Sequence, residues 1–302
     1  MIFNKLFFAR KAMVINMEKY IDLHTHSVKS DGSMEPEDVV REAKKAGLAA
    51  IALSDHDNVE GVARAMAEGE KIGVEVVPAI ELSAVSKTET HILGYYIDIN
   101  NKNLLETLDN VKAVRERRQE DTCEKLRELG FDVTMEEARE LAGSTILCRA
   151  HFARLMVNKN QVGSVKEAFD KYLSNGRPAY SSIQALSDVE AVELIKNAGG
   201  LSFVAHLNQT RRDDDDLREF LSGLKEKGLD GVEGYYTEYT EDMHRRYMAL
   251  AKELGLQISG GTDFHGAMKP HISIGRGLGE LRIPYSVLEN IKSYRAKKGL
   301  TD

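Results

Sequence analysis

From Tyr20 onward, short apolar runs that each end in polar residues alternate with segments patterned for helix. That rhythm confines the chain to a sheet with helices packed against it. Tyr20–Leu23, Ala49–Leu53 and Val74–Ile80 read as strands; Glu37–Ala46 and Val59–Ile72, closed by Gly47 and Gly73, read as the helices between them. Strand–helix–strand order favours a parallel sheet. It resumes with strands at Leu201–Ala205, Gly231–Tyr235 and Gln257–Ser259, helices at Leu217–Lys227 and Asp242–Leu254, and a last helix at Tyr285–Ala296.

The middle of the chain breaks the rhythm. A strand over Thr90–Ile97 is followed by a long, highly charged helix over about Leu104–Leu129, then by helical patterns at Met135–Leu141, Arg149–Val157 and Val165–Leu173. No β-like run falls between about residues 100 and 185. The expected organisation is an α/β scaffold over residues 18–100 and 186–302, an all-helical insertion over 101–185, and a peripheral leader over 1–17. A length of 302 residues suits a barrel-sized domain carrying such an insertion. In the leader, Asn4 and Lys5 interrupt the apolar run and Arg10-Lys11 close it, so it lacks the uninterrupted apolar stretch of an export signal.

Composition narrows the class. A net charge of −7 does not advertise a nucleic-acid or anionic-membrane surface, although bound metal ions can invert the field locally. No segment approaches the roughly 20 apolar residues of a membrane span. Cys123 and Cys148 are too few for a disulfide framework and fit a reducing, cytoplasmic setting. Nothing implies a stable protein partner.

The chemistry is carried by what ends the strands. His24 and His26 follow the first one; in extended chain, residues i and i+2 point the same way, so both imidazoles can meet one ion. Asp31 sits in the next turn, Ser30-Asp31-Gly32. The second strand ends in Ser54-Asp55-His56-Asp57, four polar residues after an apolar run. The third ends at Glu81, His91 opens the fourth, His206 closes another, and Asp263 and His265 follow the last. Taken singly, a His-x-His pair, an acid at a strand end or a lone histidine carries little weight. Jointly, six of the nine histidines lie at or beside predicted strand ends. In α/β sheets and barrels the carboxyl ends of the strands face the active site, which gathers such residues into one crater. Imidazole and carboxylate without thiolate suit Mn²⁺, Fe²⁺ or Zn²⁺, and the number of ligands suggests more than one ion.

These motifs, together with His91-Ile-Leu-Gly-Tyr95, Ala205-His206 and Gly261-Thr-Asp-Phe-His265, resemble those of the PHP (polymerase and histidinol phosphatase) phosphoesterases. The resemblance runs from about residue 20 to 266. It is nearest to the bacterial branch of 3′,5′-nucleotide bisphosphate phosphatases and 5′-end exonucleases. It implies a distorted (β/α)7 barrel and a site of two to three divalent ions, Mn²⁺ above all. By that likeness His24, His26, Glu81 and Asp263 hold one ion; Asp31, His56 and His265 hold a second; Glu81, His91 and His206 hold a third. The nucleophile is then a metal-activated water and not a protein side chain. One departure stands out: the family usually has proline after the His206 equivalent, where this chain has Leu207.

The insertion shares the likeness. Arg149 and His151 lie in an Arg-x-His-x-Ala stretch, and Arg115, Arg118 and Arg177 fall where relatives place further phosphate-contacting bases. Arg115, Arg117 and Arg118 also fit a solvated face of a charged helix. The implied substrates are phosphorylated nucleotides or short 5′-phosphorylated oligonucleotides. A histidinol-phosphate-type phosphatase and a non-catalytic binding module are the rivals. Tyr235, Tyr236 and Tyr239 suit rim packing as well as base stacking, and Glu233 is placed to orient a ligand histidine.

Overall fold

A computed structural model describes residues 18–85, 87–143, 147–181 and 186–300. The expected leader, residues 1–17, lies outside them. The chain starts β1 (Tyr20–Thr25), α1 (Pro36–Lys45), β2 (Leu48–Leu53), α2 (Val62–Ile72), β3 (Glu75–Val85) and β4 (Glu89–Tyr95). After the helices of the middle come α7 (Asp188–Asn197), β5 (Leu201–Val204), α8 (Asp214–Lys227), β6 (Gly231–Tyr236), α9 (Glu241–Leu254), β7 (Gln257–Gly261), β8 (Ile283–Pro284) and α10 (Ser286–Lys297). Between β4 and α7 lie α3 (Lys102–Glu128), α4 (Met135–Ala142), α5 (Arg149–Asn158) and α6 (Val165–Ala168), the last continued by a π-helical turn, Phe169–Leu173.

The strands form one sheet in the order β7-β6-β5-β4-β3-β2-β1-β8. It closes on itself where Thr25 bridges Phe264 and the His26 N–H donates to the Phe264 carbonyl at 2.9 Å. Seven strands thus make the barrel, and two-residue β8 is an antiparallel addition on β1. Helices are interleaved with the strands, giving the expected distorted α/β barrel.

Strand order misled in one place. β1, β2 and β3 run parallel, as do β5, β6 and β7, but β4 is antiparallel to both β3 and β5. Only residues 86–88 separate β3 from β4, and a parallel crossover needs a dozen or more. β3 also continues past Ile80 to Val85, so Glu81 is interior to a strand and not at its end. Helix α7 was not among the expected elements. Its signal was present: Ser187 accepts from the Glu190 N–H and the Glu190 carboxylate accepts from the Ser187 N–H, a reciprocal helix cap.

One apolar cluster takes alternate residues from successive strands: Ile21 and Leu23, Ala50 and Ala52, Val77 and Ala79, Leu93 and Tyr95, Leu201 and Phe203. A two-residue period of this kind fills the inner face of a barrel. Val287, Leu288 and Ile291 of α10 join it. Continuing the period along β3 and backward along β4 puts Glu81 and His91 on the same face. In the helical middle, Cys123, Leu126, Phe152, Met156 and Leu173 belong to a separate cluster. α3 serves both cores, since Leu104, Leu108 and Val111 pack with the barrel's outer helices.

Barrel closure depends on the close approach of β7 to β1. A Cβ on Gly261 would lie 2.2 Å from the His24 Cβ and 2.5 Å from its backbone nitrogen. Gly261→Ala must push the strands apart. Overpacking of this kind costs about 1–3 kcal/mol or more; a fall in urea midpoint at unchanged slope is the expected result.

Candidate metal centre

The carboxyl ends of β1, β2, β5 and β7 open on one crater. β4 contributes from its beginning, because its reversed direction brings His91 to the same rim. Of the nine residues expected from the sequence, Glu81 is central. One of its carboxylate oxygens, Oε2, lies 3.1 Å from His24 Nε2, 3.3 Å from His26 Nε2 and 3.3 Å from His56 Nδ1. The other, Oε1, lies 3.0 Å from His91 Nδ1 and 3.0 Å from His206 Nε2. Asp263 Oδ1 is 3.3 Å from His26 Nε2 and 3.3 Å from His265 Nδ1. Asp31 reaches His265 Nε2 at 3.1 Å and His26 Nδ1 at 3.7 Å. All nine are gathered.

The donors suit divalent ions. His26 Nε2, Asp31 Oδ1 and His56 Nδ1 are buried without a hydrogen-bond partner, a costly state unless something else occupies them. Three overlapping sets have ligand atoms all within 4.8 Å of one another: His26, Asp31, His56 and His265; His24, His26 and Glu81; His56, Glu81 and His91. Burial pulls the His56 imidazole down to about 3, so it stands neutral with a lone pair to give. Burial opposes the proton on His26 too, but the neighbouring Asp263, Glu81 and Asp31 carboxylates overcome that and raise it to about 9. Metal binding there would release a proton.

Further residues fix the donors in place. Glu233 accepts from His24 Nδ1 at 3.0 Å and from the His206 backbone N–H at 2.7 Å, the orienting role its position suggested. Asp55 accepts from the Ser27 N–H, the Ser27 hydroxyl and the Ser30 hydroxyl at 2.6–2.7 Å, which shapes the loop carrying Asp31. Asp57, His206 and Asp263 hold left-handed backbone conformations, φ 48°, 24° and 57°. Such strain concentrates at functional sites. Two contacts were not evident in the sequence: the Tyr236 hydroxyl donates to Asp263 Oδ2 at 3.1 Å, and Lys269 Nζ reaches the same oxygen at 2.6 Å. Lys269 lies in a loop with no periodicity to flag it.

A family model described as the PHP domain matches residues 22–244, most of the chain. This chain belongs to the PHP family. A 5′-3′ exoribonuclease of Haemophilus influenzae is 32% identical over 250 residues, covering 82% of this chain and 91% of that one. A 3′,5′-nucleoside bisphosphate phosphatase of Chromobacterium violaceum is 32% identical, covering 81% and 87%. Among solved structures, one from Bifidobacterium adolescentis assigned as a metal-dependent phosphoesterase superposes with a TM-score of 0.76 at 28% identity, covering 91% of this chain and 96% of that one.

The departure of this PHP chain from proline after His206 has a physical counterpart. The Leu207 N–H, which proline lacks, donates to the Tyr239 hydroxyl at 2.7 Å, and that hydroxyl donates to the Glu233 carbonyl at 3.0 Å. A hydrogen bond holds the loop in place of a ring. The Tyr236 and Tyr239 hydroxyls are thereby part of the site's framework.

The arginines divide. Arg118 and Arg149 converge on Glu89, at 3.8 and 2.7 Å, and on the Tyr180 ring, at 5.7 and 5.3 Å. Glu89 lies two residues from His91 on β4, so the pair flanks the PHP crater. Burial raises the Glu89 carboxyl, yet the Arg149, His91 and Arg118 charges bring it to about 2. Arg118 Nε and Nη2 are buried without hydrogen bonds. Arg115 donates to Asp57 and, at 3.0 Å, to the Ser83 hydroxyl. His151 caps α5, its Nδ1 accepting from the Cys148 N–H at 3.1 Å. Arg177 is exposed on the turn after the π-helical segment, with no described contact joining it to the others.

Glu233→Gln removes the charge that aligns His24 while preserving shape. Loss of an outer hydrogen-bond partner of this type typically weakens metal binding about 10–100-fold. Chelator competition followed by metal analysis checks it.

Proposed function

We propose that this PHP-family chain is a metal-dependent phosphoesterase acting on nucleotides, removing the 3′-phosphate of 3′,5′-bisphosphonucleotides or shortening 5′-phosphorylated RNA from its end. The observation that carries this reading is the Arg118–Arg149 pair beside the histidine–carboxylate crater: two places for anions within one site. A small monoester such as histidinol phosphate needs only the crater. The nearby Arg118 nitrogens that make no hydrogen bond suit a second phosphate, which arginine grips through two parallel hydrogen bonds.

The residues expected to hold the ions are His24, His26, Asp31, His56, Glu81, His91, His206, Asp263 and His265, and Mn²⁺ is the ion proposed, with Fe²⁺ or Zn²⁺ as substitutes. When bound, divalent ions would neutralise phosphate charge and make a water nucleophilic near neutral pH. The chain's own residues do the rest. Glu233 and the Tyr236 hydroxyl keep the donors aligned. Arg149 and Arg118 fix the far phosphate and thereby the distance to the scissile one; Glu89 holds them in wait. Positioning and charge compensation of this kind account for most of the rate in phosphoryl transfer. Residues 101–185 act in this reading as the substrate-binding unit of the barrel, with Arg115, His151 and Arg177 as further members of its binding face.

Purified protein supplied with Mn²⁺ releases phosphate from a 3′,5′-bisphosphonucleotide faster than from histidinol phosphate, and a chelator stops it. A panel of phosphoesters in which metal-replete protein cleaves nothing sinks the reading. Arg149→Ala raises KM for the bisphosphorylated substrate about 10–100-fold, the worth of a charged hydrogen bond or two. The change in kcat is smaller. Steady-state kinetics on both substrate classes decides it.

A further inference from the structure

Next to the crater lies a cavity of about 600 Å³ between the barrel and the first half of α3, a size ordinary for small-molecule sites. Its walls include Val28, Val59, Leu105, Leu108 and Leu147. Leu105 is 40% exposed, a large apolar side chain left uncovered at this site. Gln119 also lines it, is 5% exposed, and its Oε1 atom is buried with no hydrogen-bond partner. A buried amide oxygen without a donor costs free energy of about 1–3 kcal/mol; a ligand that supplies the donor recovers it.

The cavity and the reaction site share a wall. The wall residue Asp57 directly follows His56, and the Asp57 N–H donates to the Glu81 carbonyl at 2.9 Å. Arg115 ties that wall to Ser83 on β3. The charges in the lining largely cancel: Arg115 is paired with Asp57, and Lys29 lies 3.7 Å from Glu60. Such a lining is a poor host for a further phosphate. It favours a neutral group with apolar faces and one hydrogen-bonding edge.

We infer that this cavity takes the nucleobase of the substrate, with Gln119 reading its edge and the leucines and valines flanking its faces. An amide carries both donor and acceptor, so it can meet the exposed edge of more than one base. The inference rests on the nucleotide-phosphoesterase reading above and adds to it a recognition site within the barrel–α3 seam. Base recognition there is separated from phosphate recognition by Arg118 and Arg149.

Two measurements separate the inference from that reading. In methyl-labelled protein, adenosine 5′-monophosphate shifts the methyl resonances of Val59, Leu105, Leu108 and Leu147, whereas ribose 5-phosphate leaves them in place. Absence of shifts with the nucleotide, or identical shifts with both compounds, overturns the inference. In the second measurement, kcat/KM for adenosine 3′,5′-bisphosphate is compared with that for ribose 3,5-bisphosphate. Gln119→Leu lowers the ratio about 10-fold, and Leu105→Trp, at a partly exposed position that tolerates bulk, lowers it as well. A ratio unchanged in both variants counts against the cavity even if nucleotides are hydrolysed. Methyl shifts without any phosphate release support the cavity and defeat only the phosphoesterase reading.

Discussion

A fully buried carboxylate surrounded by five imidazoles is the constraint on which the rest of the structure depends. Glu81 is 0% exposed, and an uncompensated charge there would be prohibitive. Burial drives its proton affinity up, but the surrounding imidazoles, His24 and His91 among them, reverse this and keep it ionised. Those rings in turn need fixed tautomers and directions. Glu233, Asp263 and Asp31 supply them, and are held by backbone N–H groups, Tyr236 and Lys269. The polar interior is tolerable because it is one connected network with a few deliberate vacancies in its hydrogen bonding. Those vacancies coincide with the atoms best suited to bind ions.

The apolar layer beneath the crater and the polar layer within it obey the same two-residue period. Val77, Ala79 and Glu81 succeed one another on β3; Tyr95, Leu93 and His91 do so on β4. Core packing and site construction are therefore one problem. A register slip in either strand would expel Glu81 or His91 from the crater and expose the apolar residues below them.

Much of this was legible in the sequence because strand-end polar residues are conspicuous after runs such as Ala49–Leu53. His24, His26, His56, His206, Asp263 and His265 could be placed on one rim from that alone. Glu81 was found although its strand continues to Val85, since the polar interruption is visible whether or not the strand ends there. β4's direction was hidden because hydrophobic patterning records which face is buried and not which way a strand runs. The contacts of Tyr236 and Lys269 with Asp263 were hidden for a different reason: both are set by tertiary closure, and Lys269 lies outside any periodic segment. For His151 the sequence suggested a phosphate contact, and the structure adds a helix cap at its Nδ1, which only the position of the Cys148 N–H reveals.

The reversal of β4 also fixes a length. Running away from the rim, β4 delivers the chain to the far end of the barrel, where the Asp98 N–H meets the Ala198 carbonyl and the Asn101 side chain meets the Asn197 carbonyl. α3 must climb back along the outside, anchored by Leu104, Leu108 and Val111, before Arg115 can touch Asp57. From Lys102 to Arg115 that is about 20 Å of helix at 1.5 Å per residue, roughly the height of the barrel wall. The first half of α3 is thus a ruler: adding or deleting one residue would turn Arg115 and Arg118 by about 100° around the helix axis. Spacing between His91 and these arginines is consequently as much a part of the site as the residues themselves.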